Sequence, residues 1–270
     1  MKERFKDKLF ITELEKKLEV QHLINISRGL KVKINGGPIQ AKQLELYTGR
    51  FKTAFWENNF KEFGNMKVKI YVGIGEYKNK KQGDMGGWYI FCNNRLIKGP
   101  EQTIITGWDA SVPVSIPKYH IQYSSFRGVV LFEVKDPTYL PWTTAKNEID
   151  IDSPIFRAVR LEMIRLMLPV KVFLDEVHKE SGDFINGRIE KKYLQSEIDS
   201  AGLKSFLDVQ TSKEFIAPHR EHKTRKRDEV TITYKKTKDK VDKIKKLLGV
   251  SSAKEVGEQT FEYVYKRECQ

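Results

Sequence analysis

Residues 128–163 read GVVLFEVKDPTYLPWTTAKNEIDIDSPIFRAVRLEM. The first seven are short, apolar and rich in β-branched side chains, a composition typical of a buried strand. A helix is predicted to begin after Ser153, because its hydroxyl can accept from free backbone amides and Pro154 suits the first helical turn. Apolar residues then recur at helical spacing, at Ile155, Val159, Met163 and Leu166. A polar loop, residues 140–150, separates the strand from the helix.

The chain before this stretch begins with a helical pattern and continues with strand patterns. Residues 9–28 carry an apolar stripe that ends at a glycine, which predicts a leading helix. Alternating runs predict strands in LKVKING from Leu30, MKVKIYVGI from Met66 and WYIFCNNRLI from Trp88. The last two runs are separated by the Gly- and Lys-rich residues 75–87, and we expect them to form a hairpin with a loose loop.

The pattern after residue 163 continues the helix. Pro169 is predicted to kink or end it, and a second helical run, VKVFLDEV, extends to about His178. This succession of elements predicts an α+β protein with a mixed sheet and packed helices. The predicted divisions are 1–180 for this body, 181–229 for a weakly patterned region and basic linker, and 230–270 for a small module.

The small module has the order strand, helix, helix. VTITYKK, residues 230–236, alternates apolar and polar side chains and predicts a half-buried strand. The helical pattern that follows ends at Gly249. Ser252 and Glu255 then form a capping-box pattern that opens a second helix.

Positive charge is concentrated near the end of the chain. The formal net charge is +13, and the stretch from His219 to Lys246 holds twelve basic and five acidic residues, a local charge of +7. Such a stretch is either a solvated face or a surface that contacts nucleic-acid phosphates. Composition alone leaves both open.

Hydropathy and cysteine content indicate where in the cell the protein is located. The sequence has no run of about 18 to 20 apolar residues, the length that a membrane-spanning helix needs. Cys92 and Cys269 are the only cysteines, so neither a disulfide framework nor a thiolate metal cluster is expected. We therefore expect a cytoplasmic protein with no membrane partner.

One candidate for chemistry is the Glu133-Val-Lys135 sequence at the end of the apolar strand. With an upstream acid such as Asp109, an E-x-K pair on a strand is the arrangement of many magnesium-dependent nucleases, in which acids hold the metal that activates water. The motif is short, and a solvated strand end would have the same residues.

A second candidate is Lys146, in the polar loop between the apolar strand and the capped helix. An ammonium group on such a loop can reach a phosphate as a compact, mobile charge. An exposed lysine without a role would also lie there. No GxxxxGK[ST] sequence or complete glycine-rich phosphate loop is present in the chain.

Four stretches carry a resemblance to a known family: GWYIFCNNRLI, TGWD, IQYSSFRGVVLFEV and LPWTTAKNEIDIDSPIF. They resemble the segment that follows the nucleotide-binding domain in ATPases of the gyrase, heat-shock chaperone, histidine-kinase and MutL (GHKL) superfamily. The likeness is greatest to bacterial members related to the MORC ATPases, and it covers about residues 10–180.

This resemblance implies a transducer domain, in which a loop lysine touches the γ-phosphate of ATP bound by a neighbouring domain. Lys146 stands at the matching position, so the resemblance implies that it senses bound ATP and, as a catalytic residue, helps neutralise the charge that develops during hydrolysis. The resemblance implies that ATP and Mg²⁺ bind to an N-terminal domain that these 270 residues do not contain. We therefore expect no ATP hydrolysis by this chain alone, which would be either a fragment or a partner of a separately encoded ATPase domain.

The small module resembles ribbon-helix-helix proteins, in which strands from two chains pair and face the DNA major groove. The resemblance implies a homodimer with Thr231, Thr233 and Lys235 facing DNA. A helical hairpin packed on the main body would show the same pattern. Three functions thus remain open: a transducer coupling ATP to DNA or partner binding, a magnesium-dependent nuclease, and a non-catalytic protein that either binds nucleic acid or is purely a structural scaffold.

Overall fold

The computed structural model of the chain describes residues 7–76, 86–111, 114–219, 232 and 235–269. The helices in this part of the chain are α1 (Lys8–Gln21), α2 (Leu23–Ser27), α3 (Pro154–Ile185), α4 (Tyr193–Asp199), α5 (Lys238–Leu248) and α6 (Ala253–Glu268). The strands are β1 (Lys33–Ile34), β2 (Gly37–Pro38), β3 (Glu45–Tyr47), β4 (Thr53–Phe60), β5 (Met66–Ile74), β6 (Gly87–Cys92), β7 (Arg95–Glu101), β8 (Phe126–Glu133), β9 (Leu203–Ser205) and β10 (Thr211–Ser212). The protein is α+β, as the sequence predicts.

A six-stranded mixed sheet in the order β10-β4-β5-β8-β6-β7 forms the centre of the first unit. The apolar strand predicted from Gly128 is β8, which pairs antiparallel with β5 and parallel with β6. Because β8 lies between them, the predicted hairpin of the Met66 and Trp88 runs is wrong. The Trp88 run instead forms its own hairpin, β6 and β7, which turns at Asn93 and Asn94 with positive φ angles of 45° and 65°. Asparagine suits both positions of such a turn.

Both faces of the sheet are buried, and β8 contributes to each. Val130 and Phe132 lie in the hydrophobic core that contains the buried side of α3. Val129 and Leu131 lie in a second core on the opposite face, with residues of α2. A strand covered on both sides needs apolar residues at every position, which explains the unbroken run GVVLF.

The α3 helix continues through Pro169 to Ile185, so the prediction that the proline could end it is wrong. Leu166 and Met167 before the proline, and Val170 after it, are fully buried in the same core. A proline inside a helix costs about 3 kcal/mol. Each buried apolar side chain stabilises by about 1.5 to 3 kcal/mol, so packing on both sides outweighs the loss.

Two other regions differ from the prediction: the leading helix and the region after α3. The leading helix is divided at His22 into α1 and α2. The region 181–229, predicted to be weakly patterned and then a basic linker, contains α4, β9 and β10, and the two strands pair with β3 and β4. Residues 220–229 of the predicted linker lie outside the described residues. No helix in the described residues is long and apolar enough to cross a bilayer.

The chain divides into two compact units, residues 1–225 and 226–270. In the second unit α5 ends at Gly249 in the left-handed conformation, and the Ser252–Glu255 capping box is present, as predicted. Most of the predicted 230–236 strand lies outside the described residues. Those that are described, Ile232, Lys235 and Lys236, lie in neither a helix nor a strand.

Candidate functional site

The connection between β8 and α3 contains a closed turn, residues 142–149. Trp142 and Ile149 form an antiparallel bridge at its base. The Thr143 amide donates to the Glu148 carbonyl at 3.0 Å, and the Lys146 amide donates to the Thr143 carbonyl at 2.8 Å. The predicted polar loop is therefore an ordered turn with Lys146 near its tip.

This turn is anchored to the rest of the first unit by apolar packing and by an ion pair. Leu140 and Ile149 are buried in the core that contains α3, and the Trp142 ring packs partly against that core. Outside the core, the Glu148 carboxylate accepts from the Lys98 amine of β7 at 2.7 Å. Apolar anchors on both sides and an ion pair hold the backbone on which Lys146 stands.

Lys146 has a left-handed backbone conformation, with φ of 54°. In the described part of the chain, the other residues with positive φ are glycine, asparagine or aspartate. For a side chain such as lysine this conformation costs about 1 kcal/mol. The turn therefore stores a small strain at the residue that the sequence singled out.

The Lys146 side chain is exposed, and its amine lies 5.1 Å from the centroid of the Trp142 ring. The ion pairs formed among the described residues do not include Lys146. Glu148, two residues away, is paired with Lys98. The Lys146 charge can therefore meet an anion supplied from outside without first breaking an ion pair.

Glu133 and Lys135 border an open pocket of about 490 Å³ at the end of β8. The two oxygens of Glu133 lie 3.8 Å from the Arg28 guanidinium and 3.6 Å from the Lys69 amine. A carboxylate held between two cations has less negative charge to offer a metal ion.

Asp109 lies in a turn beside the end of β8 that is opposite to Glu133. Its neighbour Trp108 packs on Phe126, with ring centroids 5.3 Å apart, and Phe126 and Glu133 are the two ends of β8. Seven steps along a strand span about 23 Å. The structure therefore does not bring Asp109 and Glu133 together. Within the described residues no group of three or more His, Cys, Asp or Glu could hold a metal ion.

Of the predicted DNA-facing residues, Thr231 and Thr233 lie outside the described part of the chain, and Lys235 is exposed. The two helices of this unit bury very little. In residues 235–269, Val256 is the only buried residue, whereas Leu247 is 82% exposed and Tyr263 is 62% exposed.

A pocket that the sequence did not reveal lies between α3, α4 and the turn before β8, with a volume of about 460 Å³. Tyr47, Glu76 and Asp199 line it. Burial, followed by the negative charges of Glu76 and Asp199, raises the pKa of Tyr47. The lining comes from elements far apart in the chain, so no local pattern could have predicted it.

No protein-family model matches this sequence, and no curated protein is significantly similar to it.

Proposed function

We propose that this chain is the transducer part of a GHKL-type ATPase of the MORC-like kind, and that Lys146 senses the γ-phosphate of ATP. In this proposal ATP and Mg²⁺ are bound by a nucleotide-binding domain outside these 270 residues. The observation that carries it is the turn of residues 142–149: an exposed lysine, without an ion-pair partner in the described residues, held in a strained conformation on a well-anchored loop.

The chemistry of phosphoryl transfer supports this role. The transferred group carries negative charge that must be stabilised, and catalysis depends on positioning charges around it. A lysine amine provides one compact charge with three donors. Its position on a connection between the sheet and the 32-residue α3 allows a shift at the turn to be passed to a long rigid element.

The strain at Lys146 also supports the proposal. Asparagine or glycine would adopt φ of 54° at lower cost, and the described chain uses asparagine at four such positions. Sparsely populated backbone conformations in non-glycine residues are concentrated at functional sites. A lysine at this position therefore favours a role for its amine.

The test is to purify the chain with a GHKL nucleotide-binding domain from the same genome and measure ATP hydrolysis. Lys146→Ala should lower the turnover rate at least about tenfold, since charges that stabilise such transition states contribute that much or more. Lys118→Ala is the matched control, because Lys118 is also an exposed loop lysine. Equal turnover by wild type and Lys146→Ala would refute the sensor role.

The proposal extends to the second unit, to which we assign homodimer formation and contact with DNA or a partner through Thr231, Thr233 and Lys235. The support is the poor burial in this unit. Two helices with one buried residue cannot form a stable core alone, and Leu247 and Phe261 remain exposed. A second copy of the same unit would cover them.

The dimer can be tested by sedimentation of the full chain. Leu247→Glu should shift wild-type dimers to monomers, and Lys243→Glu, on the same helix at a charged position, should not. DNA binding should weaken steeply with salt if it depends on phosphate contacts. Absence of DNA binding at moderate salt would favour a scaffold, and DNA nicking in Mg²⁺ by the chain alone would favour a nuclease.

We also propose a cytoplasmic location, since Cys92 and Cys269 are both free thiols.

A further inference from the structure

The Lys146 amine rests on an aromatic ring of its own turn. Trp142 stands at the base of the turn, where it bridges to Ile149, and Lys146 stands near the tip. The amine lies 5.1 Å from the ring centroid, so the lysine side chain folds back over the loop. This distance is within the range of a cation–π contact.

We infer that Trp142 is a positioning residue that holds the Lys146 amine in a resting position until a phosphate displaces it. This inference rests on the proposed function, because it describes how the sensing lysine is regulated. The Trp142 ring packs against the core, whereas the lysine side chain is exposed. The lysine, not the tryptophan, is therefore the part that changes position.

The resting contact competes with phosphate binding. An amine folded back on its own loop cannot at the same time extend to a phosphate held by another domain. A cation–π contact at an exposed site is weak, whereas hydrogen bonds between an ammonium and a phosphate are charge-assisted and stronger. Replacing the ring contact by a phosphate contact is therefore favourable. Because the ring contact must be lost first, it lowers the apparent affinity for ATP.

The resting position can be observed in the chain alone. Reductive methylation with ¹³C-formaldehyde gives each lysine an NMR signal and keeps its charge. The Lys146 signal, assigned by its loss in Lys146→Arg, should be shifted upfield by the ring of Trp142. In Trp142→Leu it should return to the position of freely exposed lysines.

Lys192 provides the matched control, since its amine lies 5.2 Å from the centroid of the Phe184 ring. Its signal should be unchanged in Trp142→Leu, which also shows that the variant is folded. A Lys146 signal in the position of free lysines in the wild-type protein would overturn the inference and leave the proposed function intact, because sensing requires only a free amine.

The regulatory effect is measured together with the nucleotide-binding domain. Trp142→Leu should lower the KM for ATP about two- to fivefold, the factor expected for the loss of an exposed cation–π contact, and leave kcat unchanged. Trp142→Phe should give a smaller change, since it keeps a weaker aromatic face. If Lys146→Ala abolishes hydrolysis but Trp142→Leu leaves the KM unchanged, this inference fails alone. If Lys146→Ala has no effect, the proposed function fails and the inference with it.

Discussion

The Lys98 amine on β7 lies 2.7 Å from Oε2 of Glu148 in the turn that carries Lys146. Both side chains are partly exposed, so the pair contributes less than about 1 kcal/mol to the free energy of unfolding. We expect the pair to stabilise the turn of residues 142–149 and to add little to the stability of the whole protein. Glu148→Gln should speed hydrogen exchange of the Thr143 and Lys146 amides and leave global stability nearly unchanged.

Glu162→Gln is the control for this experiment. Glu162 pairs with Arg165 at the same 2.7 Å on α3, outside the turn. Its loss should leave exchange of the two turn amides unchanged. Equal exchange rates in all three proteins would show that the ion pair does not stabilise the turn.

A second prediction concerns the strained backbone at Lys146. Lys146→Asn should have a free energy of unfolding about 0.5 to 1 kcal/mol higher than Lys146→Ala, because asparagine tolerates a positive φ and alanine does not. Both variants lack the amine, so the comparison isolates the backbone effect. Urea unfolding measures it, and a less stable asparagine variant would contradict the left-handed conformation.

The local part of this site could be predicted from sequence. Ser153-Pro154 and the apolar run of β8 place Lys146 between a strand and a helix, because each signal depends on adjacent residues. Ser153 is the N-cap residue of α3, but its hydroxyl makes no capping hydrogen bond, so that part of the prediction is wrong. Two features could not be predicted. The left-handed φ of Lys146 depends on the bridge of Trp142 with Ile149, and the position of the amine depends on the packing of the Trp142 ring.

In the fold, too, the local features could be predicted from sequence and the long-range contacts could not. The α+β class and the strands β5, β6 and β8 follow from periodicity, but their order in the sheet does not. Placing β8 between β5 and β6 depends on side chains far apart in the chain, such as Val130 beside Ile70 and Ile90. The short strands β9 and β10 contain three and two residues, too few for any alternation to be recognised.

A third prediction concerns Glu180, a carboxylate of α3 that is only 1% exposed. Its two oxygens accept from the Leu194 and Gln195 amides in the first turn of α4. Glu180→Ala leaves these amides without their acceptors, so the free energy of unfolding should fall by about 2 to 3 kcal/mol. Glu176→Ala, one turn earlier on α3, should change it by less than about 0.5 kcal/mol. Similar losses in both variants would contradict the capping role.

A fourth prediction concerns His22, which lies between α1 and α2. Burial, and then the nearby Arg95 charge, lower the pKa of His22 below its ordinary value of 6.5. Because the unfolded chain binds this proton more readily, the contribution of His22 to stability is present above pH 6.5 and is lost as the pH falls towards the folded-state pKa.

Thermal unfolding at several pH values between about 7.5 and about 5.5 tests this effect. His22→Gln should lose less stability than the wild-type protein over that interval. His178→Gln, at an exposed histidine, should follow the wild-type curve. Parallel curves for wild type and His22→Gln would exclude the effect.

A fifth prediction compares two glycines in different surroundings. A Cβ on Gly128, in the middle of the sheet, would collide with the fully buried ring of Trp88, whereas a Cβ on Gly182 in α3 would meet no atom within 4 Å apart from its chain neighbours and the nearby backbone of its own helix. Gly128→Ala should therefore lower the free energy of unfolding by about 3 kcal/mol, since overpacked cores lose about this much. Gly182→Ala should raise it by about 0.5 to 1 kcal/mol, because alanine favours the helix.

The collision with Trp88 can be separated from a general intolerance at Gly128 by a double-mutant cycle. If the indole is the obstacle, Trp88→Leu should cost stability alone, and Gly128→Ala should cost much less in that background than in the wild type. The coupling free energy should reach about 1 to 3 kcal/mol, as expected for two residues in direct contact. If the losses in the free energy of unfolding are additive, Gly128→Ala destabilises the protein for another reason, and the indole of Trp88 does not pack on the backbone of β8.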